Sequence, residues 1–157
     1  GQYNARVLIL PNMTSTKCEN QDLLRKPQIL IAKQLKIITE KALSGSNLVK
    51  IVANKIEKIE FLALSCSSFL KHMNLNHVKE IGDSAFLGTN LTNIKNREIK
   101  VLKKKQFSSL QEIEVIKMTK LKEMNEDDFS GSIIYEFIAP LEKVNPIRGD
   151  NRGTFVN

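Results

Sequence analysis

Tryptophan is absent from this 157-residue sequence, and cysteine and histidine occur only twice each. Two cysteines cannot build a disulfide-rich scaffold or a four-cysteine zinc site. Two histidines leave little room for a histidine-rich metal cluster, and no cofactor is expected. Long apolar runs are missing too. The longest, such as residues 7–10 and 29–32, fall far short of the ~20 residues a membrane-spanning helix needs. Acidic residues are in deficit, with 17 Asp and Glu against 24 Lys and Arg, for a net charge of +7. That surplus suits an anionic partner, but a solubilising surface explains it equally well. Catalytic signatures are also lacking. There is no nucleophile-elbow glycine pattern around a serine, no G-x-x-x-x-G-K-[ST] and no G-x-G-x-x-G. The acidic run Glu123, Glu126, Asp127 and Asp128 does not have the alternating ligand spacing of a calcium loop. The chain starts at Gly1, and the apolar stretch 7–11 is too short for a signal-peptide core, so a processed or trimmed chain is expected.

What is present is a hydrophobic content of 41%, enough to exclude global disorder, and it is organised as a repeat. Leu43, Leu64, Phe86, Phe107 and Phe129 recur at intervals of 21, 22, 21 and 22. Leu48, Leu70, Leu91, Ile113 and Ile134 keep step with them, as do Ile51, Met73, Ile94, Ile116 and Phe137. Ala53, Leu75, Asn96, Met118 and Ala139 form a further column, in which Asn96 is the one poor fit. Ile56, Val78, Ile99 and Leu121 follow, then Ile59, Ile81, Leu102 and Met124. Leu30, Ala32, Leu35 and Ile38 fit the same columns one copy earlier, and Leu8 and Leu10 place a strand before that, with an insertion behind it.

The template L-x-x-I-x-Φ puts two apolar residues two apart, on one face of a short strand. The next two apolar positions are three apart, which reads as a turn or 3₁₀ spacing. A bulky Leu or Phe then closes the coil from the opposite side. No coil can bury this interior alone, so about seven coils are expected to stack as a curved solenoid with parallel strands. The competing reading is a small helical protein, because residues 35–42 and 48–58 are rich in helix formers. Their apolar residues do not hold a helical period beyond about two turns, and β-branched residues favour strand over 47–56.

The repeat resembles leucine-rich repeats. The segment Val78-Lys-Glu-Ile-Gly-Asp-Ser-Ala-Phe-Leu-Gly-Thr-Asn-Leu-Thr-Asn-Ile is similar to the BspA-like subclass, with its I-G-x-x-A-F motif, turn and L-x-x-I. Phe107-Ser-Ser-Leu-Gln-Glu-Ile-Glu-Val-Ile and Asp128-Phe-Ser-Gly are similar as well, and also resemble animal extracellular repeats. The resemblance implies an α/β-type solenoid, a right-handed superhelix with a short parallel concave sheet and a mostly irregular or 3₁₀ convex side. An N-terminal strand and irregular cap would cover 1–27, the repeats 28–140 and a C-terminal tail 141–157. It further implies a recognition scaffold rather than an enzyme, secreted or at the cell surface, with the strand face as its binding surface.

Residues between the buried columns of that face point outwards. The centre then presents Lys71, His72, Lys95, Arg97 and Lys117 among Asn74, Asn76 and Asn93, with Ile31, Val52, Tyr135 and Ile138 towards the ends. The expected partner-binding set is Lys71, His72, Asn74, Lys95, Arg97, Lys117 and Tyr135. Cations at strand spacing sum their fields, which suits a protein with an acidic surface. A plain solvated face accounts for them equally. A polyanion, glycosaminoglycan or nucleic acid, is the alternative partner, taken by Lys95, Arg97, Lys100 and the run 103–105. No aromatic residues flank that run for stacking. Neither end shows an obvious cap, which leaves open a homodimer or larger assembly.

Weaker signals remain. Asn12-Met13-Thr14 and Asn90-Leu91-Thr92 match the N-glycosylation triplet, which matters only if the chain is secreted. Cys66 is expected as a small, partly buried turn residue. A Cys18–Cys66 disulfide would require the insertion to fold back over about two coils. His72 and His77 read as surface histidines, since a metal site needs more ligands. Arg148-Gly149-Asp150 spells an integrin-binding tripeptide in a stretch where chance triplets also accumulate.

Overall fold

Burial of the apolar columns requires a neighbouring coil above and below, and the chain provides it by pairing most strands with the strand one coil earlier. The structure, a computed structural model, describes residues 6–17, 21–103 and 105–145. These wind as a parallel β-solenoid. Each coil runs along a first strand face, bends, runs along a second strand face and returns by a turn side. The first face carries β1 (Val7–Ile9), β2 (Ile29–Ile31), β4 (Lys50–Val52), β6 (His72–Met73), β8 (Asn93–Asn96), β9 (Glu112–Met118) and β11 (Ile133–Ile138). The second carries β3 (Ile37–Ile38), β5 (Lys58–Ile59), β7 (Glu80–Ile81), β10 (Glu123–Asn125) and β12 (Lys143–Asn145). Single bridges, Ser15 with Ile37 and Val101 with Glu123, extend it.

The pairing register is that of the sequence columns. Leu30 lies between Leu8 and Ile51, Ile51 beside Met73, and Ile116 between Ile94 and Phe137. Leu43, Leu64, Phe86, Phe107 and Phe129 fill the interior from the turn side and are buried. The last three form a stack, with ring centroids 5.1 and 5.4 Å apart and planes nearly parallel, and Phe137 meets Phe129 edge-on at 5.8 Å.

Two expectations need correction. The Φ-x-x-Φ spacing leads into the second strand face, not into a 3₁₀ or irregular side. After the bend, consecutive N–H groups find an acceptor in the coil before: those of Glu57 and Lys58 both donate to the Lys36 carbonyl, at 2.9 and 3.1 Å. The one 3₁₀ turn among the described residues, Glu126–Phe129, lies on the turn side. The α/β part of the expectation is not met either. Helix among the described residues is limited to α1 (Gln21–Arg25), and the helix-rich stretches of the competing reading are strands and turns.

The turn side is hydrogen-bonded as thoroughly as the strands. Gly45, Gly88 and Gly131 hold φ of 64°, 69° and 75°, and Cys66 and Ser109 take the same left-handed place at 57° and 58°. This conformation aims the N–H along the solenoid axis. Gly45 donates to Ser65 at 2.8 Å, Cys66 to Leu87 at 2.7 Å and Ser109 to Ser130 at 2.7 Å. Cys66 is therefore in the expected turn, but exposed rather than partly buried.

One junction breaks the strand ladder. Elsewhere on the first face two consecutive N–H groups donate to one carbonyl of the preceding coil: Val49 and Lys50 to Gln28, Lys71 and His72 to Val49, Glu114 and Val115 to Thr92. Among the described residues Thr92 and Asn93 make no such bond to Lys71, so β6 and β8 are unpaired. The second face is open at the same level, since β7 does not pair with Val101. The coils are held there by the turn side, where Phe86 donates to Gln106 and Gly88 to Ser108, and by Arg97 donating to Asn76. Two buried amides reach across as well. Asn96 Nδ2 donates to the Leu75 and Val78 carbonyls at 2.7 and 2.8 Å, and Gln106 Nε2 donates to the Ile81 carbonyl.

Candidate functional site

Alternation along the strands turns every second side chain of the first face outwards. Lys71, His72, Asn74, Lys95, Arg97, Lys117 and Tyr135 are all exposed there. Lys71, His72 and Asn74 belong to the coil of β6, Lys95 and Arg97 to that of β8, Lys117 to β9 and Tyr135 to β11. Lys95 and Lys117 are direct partners in the pairing of β8 with β9. Tyr135 stands apart, towards the far end, 67% exposed, its hydroxyl donating to Glu112 Oε2 at 3.4 Å. The structure thus gathers the basic residues at the centre of the face. Lys50 pairs with His72 from the coil before, and Asn93 lines the same groove from the coil after.

The two strand faces differ in how their charges are used. On the second face and the bend before it, cations meet carboxylates one coil away. Lys79 lies 2.9 Å from Glu57, Lys120 3.2 Å from Glu98, Lys122 2.6 Å from Glu142 and Lys143 3.4 Å from Glu123. The Lys79 ammonium, by hydrogen bond and then by charge, holds the Glu57 carboxyl below its ordinary range, and Glu57 raises Lys79 in return. Glu123 is likewise lowered, first by the Asn145 amide and then by Lys143. These exposed pairs add little to stability, because water screens them, but they offset charge on that surface. On the first face, among the described residues, Lys50, Lys71, Lys95, Arg97 and Lys117 have no ion-pair partner. Its acids sit towards the far end, where Glu114 accepts from Asn93 Nδ2 at 3.3 Å.

Buried polar groups form a second set. Asn96 Oδ1 accepts from the Glu98 and Ile99 N–H groups at 2.9 and 2.7 Å, so all four hydrogen-bonding places of its amide are filled. The column's poor fit is a fully satisfied amide. Asp128 accepts from the Asn125 and Lys105 N–H groups at 2.6 and 3.1 Å. Burial nonetheless pushes its carboxyl above the ordinary range, with Asp127 adding to the effect. The residue is fully buried. Gln106 and Asp128 occupy the places held by Ala42, Ala63 and Ala85 in earlier coils. That column lies one residue before the Leu/Phe column, and it was the signal that could have found them.

The remaining sequence signals are dispersed. Asn12 is exposed, while Asn90 is half-buried with its N–H donating to Leu70 at 3.0 Å. His72 and His77 are exposed, and among the described residues no three His, Cys, Asp or Glu gather as metal ligands. No described helix is long and apolar enough to cross a membrane. Cys18, its pairing with Cys66, and Arg148-Gly149-Asp150 lie outside the described residues.

Neither a curated protein nor a solved structure matches the chain. The model of the BspA type leucine rich repeat region does match, in six copies over residues 36–150. The span covers most of the sequence and coincides with the coils whose columns set the register, and the chain belongs to the BspA-type leucine-rich-repeat family.

Proposed function

We propose that the chain is a non-enzymatic recognition module that binds a protein partner with an acidic surface through its first strand face, outside the cell or at its surface. The carrying observation is Lys95 beside Lys117 on paired strands, with no carboxylate opposite either one. Like charges directly across a strand pair destabilise the sheet unless an anion meets them. Lys71, His72 and Arg97 extend the same field, Asn74 adds an amide, and Tyr135 offers an exposed ring at the far end. The family supports the reading, since leucine-rich repeats generally serve recognition rather than catalysis.

Lys95→Glu combined with Lys117→Glu is expected to abolish retention of the protein that the wild-type chain binds, with the melting temperature unchanged. Equal retention by the double variant would move the site off this face. A polyanion is the second reading, favoured by Lys100, Lys103 and Lys105, which are exposed in the same coil as Lys95 and Arg97. Salt separates the two. Polyanion affinity falls steeply with salt, with a log–log slope near the number of phosphate or sulfate contacts. A shallow slope sinks the polyanion reading.

Secretion makes Asn12 and Asn90 acceptors for glycan. Because Asn12 is exposed and Asn90 half-buried, a chain made through a secretory pathway is expected to be glycosylated at Asn12 first. Mass spectrometry before and after a glycosidase reads this directly, and a chain that shows no shift carries neither glycan.

A further inference from the structure

A groove of about 290 Å³ lies over β6, between Lys50, Val52 and Asn54 of the coil before and Asn93 of the coil after, so the open junction forms one edge of it. No acidic residue lines it. Met73 forms its floor. It is half-buried, whereas Leu30, Ile51, Ile94 and Ile116 of the same column are buried. The ladder bonds elsewhere on the face show what is missing. Paired N–H groups converge on one oxygen at 2.7 and 3.2 Å for Val49 and Lys50, and at 2.8 and 3.3 Å for Glu114 and Val115. Thr92 and Asn93 stand at the same place in their coil without that oxygen. Consecutive backbone N–H groups with no acceptor attract an anion, and Lys50, Lys71 and His72 stand at the rim.

We propose that this slot seats one carboxylate, the aspartate or glutamate side chain of the protein partner, with an oxygen in the place of the absent carbonyl. The inference rests on the recognition reading above and assigns its point of contact. A side-chain carboxylate matches the small groove, the paired donors and the cations at the rim. A polyanion would instead require cations in a line along its backbone and would have no use for a single recess. Across an interface, truncating the partners of a desolvated charge is expected to weaken binding by about tenfold or more.

The test is a titration of the full ¹⁵N-labelled chain, followed by amide NMR. The probe is an end-blocked peptide with one glutamate among glycines and serines, compared with the same peptide carrying glutamine. The glutamate peptide should shift the Thr92 and Asn93 amides, and the glutamine peptide should not. Lys71→Gln with His72→Gln, both at exposed positions, should weaken that response about tenfold. Shifts along Lys95 and Lys117 that spare Thr92 and Asn93 would overturn the slot and leave the face as the recognition surface. Silence over the whole face would overturn the slot and count against that surface too. Sodium acetate binding as tightly as the peptide would make this a small-carboxylate site and overturn the partner's side chain as occupant.

Discussion

Phe107→Ala is expected to lower the unfolding free energy by about 3–5 kcal/mol, a large part of what a domain of this size possesses. The ring is fully buried and stacked on both sides, at 5.1 Å from Phe86 and 5.4 Å from Phe129. Truncation removes both aromatic contacts, each adding about 0.5–1.5 kcal/mol beyond area burial, and leaves a cavity that two flat neighbours cannot collapse into. The position of the ring raises the effect. Phe86 and Phe107 face each other across the junction where both strand ladders are open, so their stack is a main apolar tie between the coils on either side. In a solenoid, stability is close to a sum of coil and neighbour-interface terms. Weakening this interface should therefore also reduce cooperativity, and the urea transition is expected to broaden with a lower slope. Phe69→Ala is the control. That side chain is 58% exposed, and its loss should change stability by about 0.5 kcal/mol or less. Urea denaturation followed by circular dichroism compares the two, and equal midpoints would show that the stack holds nothing together.

The parts of this fold that repeat were legible, because a column confirmed over five copies outweighs an ambiguous local pattern. Leu48, Leu70, Leu91 and Ile113 fixed the register, and alternation then placed Lys71, Lys95 and Lys117 outwards. The second strand face was not legible. Its strands β3, β5 and β7 are two residues long. They exist through bonds to the coil before, and no local spacing encodes those bonds. The open junction was hidden for a related reason. Lys71, Thr92 and Asn93 are all residues a paired strand accepts, so the missing bonds leave no mark in residue type. What did leave a mark was the compensation. A polar residue broke an apolar column at Asn96, and a glutamine replaced alanine at Gln106. Both face the junction, and each reads as a defect until its partners in the neighbouring coil are known.

Asn96→Ala is the sharpest test of that compensation, because it restores the residue found natively in the column at Ala53. By composition the variant is a better repeat, yet it is expected to be less stable by about 3 kcal/mol. The amide is 2% exposed and serves the Leu75 and Val78 carbonyls of the previous coil, and the Glu98 and Ile99 N–H groups of its own bend. The Leu75 carbonyl keeps the Val78 N–H at 3.2 Å, but the Val78 carbonyl and the Ile99 N–H belong to buried residues that water reaches poorly, and each such group left unsatisfied costs about 1–3 kcal/mol. Asn96→Asp should be worse still. A carboxylate keeps the acceptors for the two N–H groups but has nothing to donate to the carbonyls, and it places charge where it cannot be hydrated. The order wild type, alanine, aspartate therefore separates a stitching amide from a mere space-filler, for which the near-isosteric aspartate would be the milder change. Hydrogen exchange locates the damage. With the ladder already open on both faces, loss of the Asn96 bonds should speed exchange first at the amides flanking the junction, Val78 and Ile99 among them. Paired amides within β2, two coils before β6, should be the last to follow, since each coil feels only its neighbours.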